Sequence, residues 1–270
     1  MSDIYGLLGG KLGHSISPSI HSIIFNELNI DGCYHLFEVK KENLKDAVHG
    51  LLALGAKGVN VTIPHKVSVM EYIDEVSKEA KDIGAVNTIY FKDGKTIGYN
   101  TDYYGFKMML IKNKIEIEGK RVCILGTGGA ARGVLQYVLD NGAKDIKIVS
   151  RDIEKCKRGI KGIDLISYED VKRLKDWDII INCTPCGMSV NIGYSPVSMD
   201  TVKNFNVAID LIYNPKQTLF LKYADEAKLK WVNGLYMLVG QAVCAEEIWN
   251  SVDISKDIVD KIYKKILCDF

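Results

Sequence analysis

Residues 120–139 read KRVCILGTGGAARGVLQYVL: an apolar run, a glycine cluster and an amphipathic stretch in direct succession. The run Val122–Leu125 suits a buried strand, and the stretch after the glycines has helical spacing. Between them the pattern is Gly126-x-Gly128-x-x-Ala131. Gly126 permits a tight turn, Gly128 lets backbone approach a pyrophosphate, and Ala131 is small enough for close helix–strand packing. A strand that turns sharply into a helix belongs to a parallel α/β layer, with an anion at the free N–H groups of the helix start. The competing reading is a similar layer that binds another nucleotide-like molecule, such as S-adenosylmethionine.

The next strand is expected at 146–150, followed by Arg151 twenty residues after Ala131. An acid there would bond a free ribose 2′-hydroxyl, whereas an arginine pairs with a 2′-phosphate. With Lys155 one helical turn later, the expected cofactor is NADP. The bland alternative is a solvated loop charge.

The rest of the chain alternates in the same manner. Strands are expected at 4–9, 33–39, 58–63, 85–91, 95–99, 163–166, 178–182 and 206–211. Helices are expected at 18–28, 41–53, 102–113, 235–250 and 255–267. This is an α/β protein with parallel sheets, and 270 residues suffice for one large or two modest domains. Lys and Arg total 35 against 34 acids, so no bulk attraction to nucleic acid or anionic lipid is expected. No apolar run approaches the ~20 residues of a membrane span, and the N-terminus lacks the pattern of a signal peptide. Seven scattered cysteines then fit reduced thiols in the cytoplasm. Cys183 and Cys186 form one C-x-x-C without a second pair, so no metal site is expected.

Polar residues stand where strands should be apolar. In GVNVTIPHK, Asn60 and Thr62 share the face opposite Val59 and Val61, and Lys66 follows Pro64. Asn87 interrupts GAVNTIYF, and Asn100, Thr101 and Asp102 lie between a strand and a helix. Ser15 and Ser17 precede Pro18, a residue suited to a helix start. Singly, Ser17 and Asp102 read as helix N-caps. Together these side chains describe a pocket for a small polyhydroxylated ligand. The serines would hold a carboxylate, the amides would read hydroxyls, and the lysine and aspartate would move a proton.

These stretches carry a resemblance. HSISPSIH at 14–21, GVNVTIPHK at 58–66, GAVNTI at 84–89, GYNTD at 98–102, GTGGAAR at 126–132, NCTPCGM at 182–188, DLIYNPKQT at 210–218 and NGLYMLVGQA at 233–242 together resemble shikimate dehydrogenases. The resemblance implies NADP-dependent reduction of 3-dehydroshikimate to shikimate, with quinate/shikimate dehydrogenase using NAD as the alternative. It implies an N-terminal α/β substrate domain, 1–101 completed by 236–270, and a Rossmann-type nucleotide domain, 102–235. It further implies that Lys66 and Asp102 are catalytic, and that Ser15 and Ser17 hold the substrate carboxylate. Asn60, Thr62, Asn87, Tyr213 and Gln241 would be further substrate residues. Gly126, Gly128, Gly129, Ala130, Arg151, Lys155 and Met188 would lie on the cofactor side. The oligomeric state is left open, a homodimer included. The chain departs from the family pattern at Lys11, where proline is usual, at Ser150 and Asp152 beside Arg151, and at Tyr236, where N-G-L-G-M is usual.

Overall fold

The computed structural model describes residues 2–13, 15–157, 162–188 and 191–269; the side chains of Lys155, Lys157 and Asp269 lie outside the description. The chain forms two compact units, Met1–Gly105 with Val239–Phe270, and Phe106–Leu238.

The first unit begins β1 (Asp3–Gly9), α1 (Ser17–Leu28), β2 (Gly32–Glu38), α2 (Leu44–Ala53), β3 (Gly58–Val61) and β4 (Glu75–Val76). It continues with α3 (Lys78–Ile83), β5 (Thr88–Lys92) and β6 (Lys95–Tyr99). The sheet order is β2-β1-β3-β5-β6-β4. Contrary to the expected parallel arrangement, this sheet is mixed: β5 runs antiparallel to both β3 and β6. The cause is local. Asp93 and Gly94 both adopt positive φ, 50° and 75°, which closes a two-residue hairpin between β5 and β6. Val48, Val59, Val61, Val86 and Ile89 build one core cluster.

Helix α4 (Thr101–Lys112) carries the chain into the second unit. There follow β7 (Arg121–Leu125), α5 (Gly129–Asp140), β8 (Asp145–Val149), α6 (Ile153–Lys157), β9 (Asp164–Ile166), α7 (Tyr168–Val171) and β10 (Trp177–Asn182). After them come α8 (Met199–Val202), β11 (Phe205–Asp210), α9 (Leu219–Glu226) and β12 (Lys230–Val232). The sheet is parallel throughout, in the order β12-β11-β10-β7-β8-β9. This is the doubly wound order, and its reversal lies between β7 and β10, where such sheets bind nucleotides. Val122 to Leu125 are all buried, as befits a central strand covered on both faces.

Helix α10 (Leu235–Asn250) returns to the first unit at Val239, and α11 (Lys256–Asp269) ends the chain. Trp249 of α10 packs against Tyr5 and Phe25 and donates its indole N–H to Ile89 O at 2.9 Å. A Cβ at position 58 would come within 2.1 Å of that indole, so glycine is needed there. Among the described residues, no helix is long and apolar enough to cross a membrane.

Two cap readings are corrected. Ser17 is the first residue of α1, not its N-cap; that position is Ile16. The Ser17 N–H is met instead by Ser15 Oγ, at 3.3 Å. Likewise Asp102 lies inside α4, and the Thr101 N–H donates to Asn87 Oδ1 at 2.7 Å. A side chain from another segment takes the first-turn donor, which leaves both Asp102 oxygens for other partners.

Candidate active site

In the first unit, β3 ends at Val61, so Thr62 stands past the strand although the alternation placed it within. Its N–H still donates to Leu8 O, but its carbonyl closes a turn onto the His65 N–H, each at 2.9 Å. That turn presents Lys66. Lys66 Nζ lies 2.5 Å from Asp102 Oδ2, with the two side chains only 14% and 8% exposed. Asp102 sits in the first turn of α4, where the helix dipole favours negative charge.

Asn87 also stands outside its expected strand, since β5 starts at Thr88. Its backbone nevertheless bridges two strands, receiving the Val61 N–H at 2.7 Å and donating to Tyr99 O at 3.0 Å. The amide is oriented by the Thr101 N–H, which can only donate. Oδ1 therefore faces Thr101, and Nδ2 donates to Asp102 Oδ1 at 2.9 Å. Thr88 Oγ1 donates to Asn87 Oδ1 at 3.0 Å and accepts from Asn60 Nδ2 at 3.1 Å. Asn60 Oδ1 in turn accepts from the Tyr34 hydroxyl at 2.7 Å. Ser15 Oγ lies 3.1 Å from Ser17 Oγ at the start of α1. Gln241 is half-buried on α10 in this unit.

The structure thus brings Lys66, Asp102, Asn87 and Asn60 into one network, with Ser15 and Ser17 as a pair. Sequence reasoning passed over Tyr34, whose position in a strand gives no spacing signal. It also passed over His21 and Glu246. His21 Nδ1 lies 2.5 Å from Glu246 Oε1, both side chains fully buried, and the imidazole stacks on Tyr34 with centroids 3.9 Å apart. An acid within the apolar run of α10 was the available clue. Burial, with the Glu246 carboxylate nearby, holds the Tyr34 phenol well above its ordinary range, so it keeps its proton.

In the second unit, Gly126 follows β7 with φ +100°, and a Cβ there would come within 2.9 Å of Thr184 Cγ2. Both facts require glycine. Gly128 differs: its φ is −72°, and a Cβ would meet nothing within 4 Å. Protein packing does not demand glycine there, whereas a pyrophosphate close to the backbone does. Gly128 is the N-cap of α5 and makes no side-chain cap, and Gly129 and Ala130 open the helix. The residues present therefore fit a dinucleotide.

Arg151 and Asp152 are both exposed beyond β8. Ser150 Oγ accepts the Asp152 N–H at 3.1 Å and shapes that bend. Arg151 lies in electrostatic reach of Tyr168 and Cys186. Lys155 lies on α6, and its side chain is outside the described residues. Met188 is 40% exposed in the segment that follows β10. Tyr213 lies in this unit, unlike the other substrate residues named from the sequence, and burial pushes its phenol up. Tyr236 is buried, with Lys112 Nζ 5.5 Å from its ring centroid.

The segments that follow β10 and β11 lean on one carboxyl. Asp210, fully buried, accepts from Thr218 Oγ1 at 2.6 Å, Asn182 Nδ2 at 3.0 Å and Ile212 N at 3.1 Å. Asn182 Oδ1 accepts from Thr184 Oγ1 at 2.7 Å and Thr184 N at 3.0 Å. Burial outweighs these hydrogen bonds and pushes the Asp210 carboxyl up to about 7.

Comparison with known proteins agrees along the length of the chain. Residues 7–89 match the shikimate dehydrogenase substrate binding domain, and residues 109–198 match the shikimate / quinate 5-dehydrogenase family. The shikimate dehydrogenase (NADP(+)) of Clostridium perfringens is 51% identical over 269 residues, 99% of each chain. Among solved structures, a chorismate mutase/shikimate 5-dehydrogenase fusion protein from Clostridium acetobutylicum is 50% identical, with TM-score 0.96, covering 100% of this chain and 98% of that one. A shikimate dehydrogenase in complex with NADP+ is 37% identical, with TM-score 0.88, covering 98% and 95%. Matched from end to end in sequence and in fold, the chain belongs to the shikimate dehydrogenase family.

Proposed function

We propose that this chain reduces 3-dehydroshikimate to shikimate with NADPH, reversibly, and that Lys66 and Asp102 are its catalytic pair. The observation that carries the reading is the nearly buried Lys66–Asp102 contact, held from behind by Asn87. When bound, the nicotinamide supplies the hydride that adds to the carbonyl carbon. Negative charge then develops on the former carbonyl oxygen. The Lys66 ammonium stabilises that oxygen, and the Lys66–Asp102 pair delivers the proton that makes it a hydroxyl. Asp102 holds the ammonium in place, while Asn87 Nδ2 occupies the other carboxylate oxygen. Ser15 and Ser17 bind the substrate carboxylate, and Asn60, Thr62, Asn87, Tyr213 and Gln241 serve the rest of the substrate. Gly126, Gly128, Gly129 and Ala130 receive the pyrophosphate, Arg151 and Lys155 the 2′-phosphate, and Met188 the nicotinamide. The partner is a small molecule; neither nucleic acid nor membrane enters the reaction.

The test is NADPH oxidation with 3-dehydroshikimate, run beside NADH and beside quinate with NAD. Turnover of quinate with NAD and none with 3-dehydroshikimate would overturn the reading.

Two predictions attach to the ligands. Ser15→Ala and Ser17→Ala raise the KM for shikimate, since each removes a hydrogen bond to a charged group, worth ~1.5–3 kcal/mol. Unchanged KM in both variants would mean that the carboxylate sits elsewhere. For the cofactor, Arg151 attracts a 2′-phosphate, while Asp152 next to it repels one. A bidentate, charge-assisted arginine–phosphate pair outweighs one neighbouring acid, so NADP is preferred. Arg151→Ala erases most of that preference, and Asp152→Thr tightens NADP while leaving NAD nearly unchanged. Catalytic efficiency with each cofactor at fixed ionic strength is the measurement, and a wild-type preference for NAD would reverse the assignment.

A further inference from the structure

The Cys156 thiol joins two segments assigned to different parts of the cofactor. Its Sγ donates to Thr127 Oγ1 at 3.4 Å and lies 3.1 Å from Ser150 Oγ. Thr127 stands between Gly126 and Gly128, in the turn assigned to the pyrophosphate. Ser150 begins the bend that carries Arg151 and Asp152. Cys156 itself is half-buried on α6. A thiol has one proton. With that proton on Thr127, the sulfur accepts from the Ser150 hydroxyl.

The bend is braced from within. Ser150 is buried, and its Oγ accepts the Asp152 N–H and donates to Asp152 O, each at 3.1 Å. Asp152 O also accepts the Cys156 N–H at 3.3 Å, which places the sulfur back over Ser150. The two segments are first tied by backbone, where the Gly126 N–H donates to Val149 O at 2.9 Å. Strands β7 and β8 end at Leu125 and Val149, so the ladder between them stops there. The Cys156–Thr127 contact is a second tie, made beyond the ladder by side chains alone.

NAD and NADP carry the same pyrophosphate, and only NADP carries the 2′-phosphate. The glycine turn serves both cofactors, whereas Arg151 distinguishes them. A dinucleotide seated on the turn brings its 2′-phosphate to Arg151 only while the bend keeps its distance from the turn. We propose that Cys156 is a positioning residue that holds this distance, and so sets the preference for NADP over NAD. This inference rests on the functional reading above, which puts the 2′-phosphate at Arg151. In this role the thiol acts through Thr127 and Ser150, not by contact with the cofactor.

The experiment uses the full chain at fixed ionic strength and saturating shikimate, with NADP and with NAD. The variants are Cys156→Ala, Cys156→Ser and Arg151→Ala, and Cys156→Ala combined with Arg151→Ala. Cys156→Ala is expected to raise the KM for NADP about three- to fivefold, the weight of one weak hydrogen bond. The KM for NAD, the KM for shikimate, kcat and the melting temperature should stay at wild-type values. Cys156→Ser keeps a proton for Thr127 and an oxygen for Ser150, and should recover most of the NADP preference. With Arg151→Ala already present, Cys156→Ala should add no further loss with NADP, because the phosphate has lost the partner that the thiol positions. A wild-type ratio of the two Michaelis constants in Cys156→Ala overturns the proposal. So does an equal loss with both cofactors accompanied by a lower melting temperature, a serine variant as impaired as the alanine one, or an undiminished loss in the Arg151→Ala background. A wild-type preference for NAD instead removes the assignment of Arg151, and this inference with it.

Discussion

Lys66→Ala is expected to lose ~10²–10⁴-fold in kcat, the usual cost of removing a general acid–base, with a smaller change in the KM for shikimate. Lys66 is 14% exposed and its ammonium lies 2.5 Å from Asp102, so the substitution also leaves a carboxylate buried without its cation. Thermal melting separates the two consequences, because lost proton delivery lowers kcat in a protein that still melts cooperatively. Asp102→Asn is impaired for a related reason. It keeps an oxygen for Asn87 Nδ2, which is 2.9 Å from Asp102 Oδ1, yet no longer holds the ammonium by charge. The double variant should cost less than the two single losses combined, because the pair acts as a unit. Wild-type kcat in Lys66→Ala would sink the assignment of the pair.

Asp210 governs a different quantity. Its carboxyl is pushed up to about 7 from an ordinary 3.8, with burial as the cause. The folded chain thus keeps a proton that the unfolded chain releases at lower pH. Between those two values the folded state binds more protons, so its stability falls as pH rises. The loss begins near pH 4 and levels off above pH 7. At ~1.4 kcal/mol per pH unit, it amounts to about 4 kcal/mol. Asp210→Asn removes this titration while keeping an oxygen to accept from Asn182 and Ile212. The expected result is a wild-type stability that declines from pH 4 to pH 8 relative to the variant. Urea unfolding followed by tryptophan fluorescence measures it, since Trp177 and Trp231 both lie in the second unit. Parallel pH curves for the two proteins would contradict it.

Much of the secondary structure was legible because its causes are local. Apolar periodicity gave strands and helices within a few residues of their observed ends, as in β6 at Lys95–Tyr99 and α10 at Leu235–Asn250. Elements such as α3, α9 and β12 went unread, and two strand ends were misplaced where a polar residue looked like part of the strand and belonged to its border. Thr62 and Asn87 both lie just outside their strands, the first where a turn begins and the second where its amide is drawn to the start of α4. Lys66, Asp102, Asn87 and Asn60 could be singled out because amides and charges at strand ends are conspicuous. Tyr34 could not, since a tyrosine in a strand is ordinary until its hydroxyl is seen to meet Asn60.

The sequence by itself determined the strand–glycine turn–helix at Arg121–Asp140, because Gly126 needs positive φ and the apolar run needs burial, and both are properties of a few neighbouring residues. Only the tertiary structure decided which partners complete each polar group. Lys66 and Asp102 are 36 residues apart, Tyr34 and Asn60 26, and His21 and Glu246 225. Spacing along the chain does not encode such pairs. A buried donor or acceptor left unpaired costs about 1–3 kcal/mol, so folding selects an arrangement that satisfies them jointly. The same holds for Asp210: a carboxylate at a strand end reads as ordinary, and only the packing that removes it from water pushes it up to about 7.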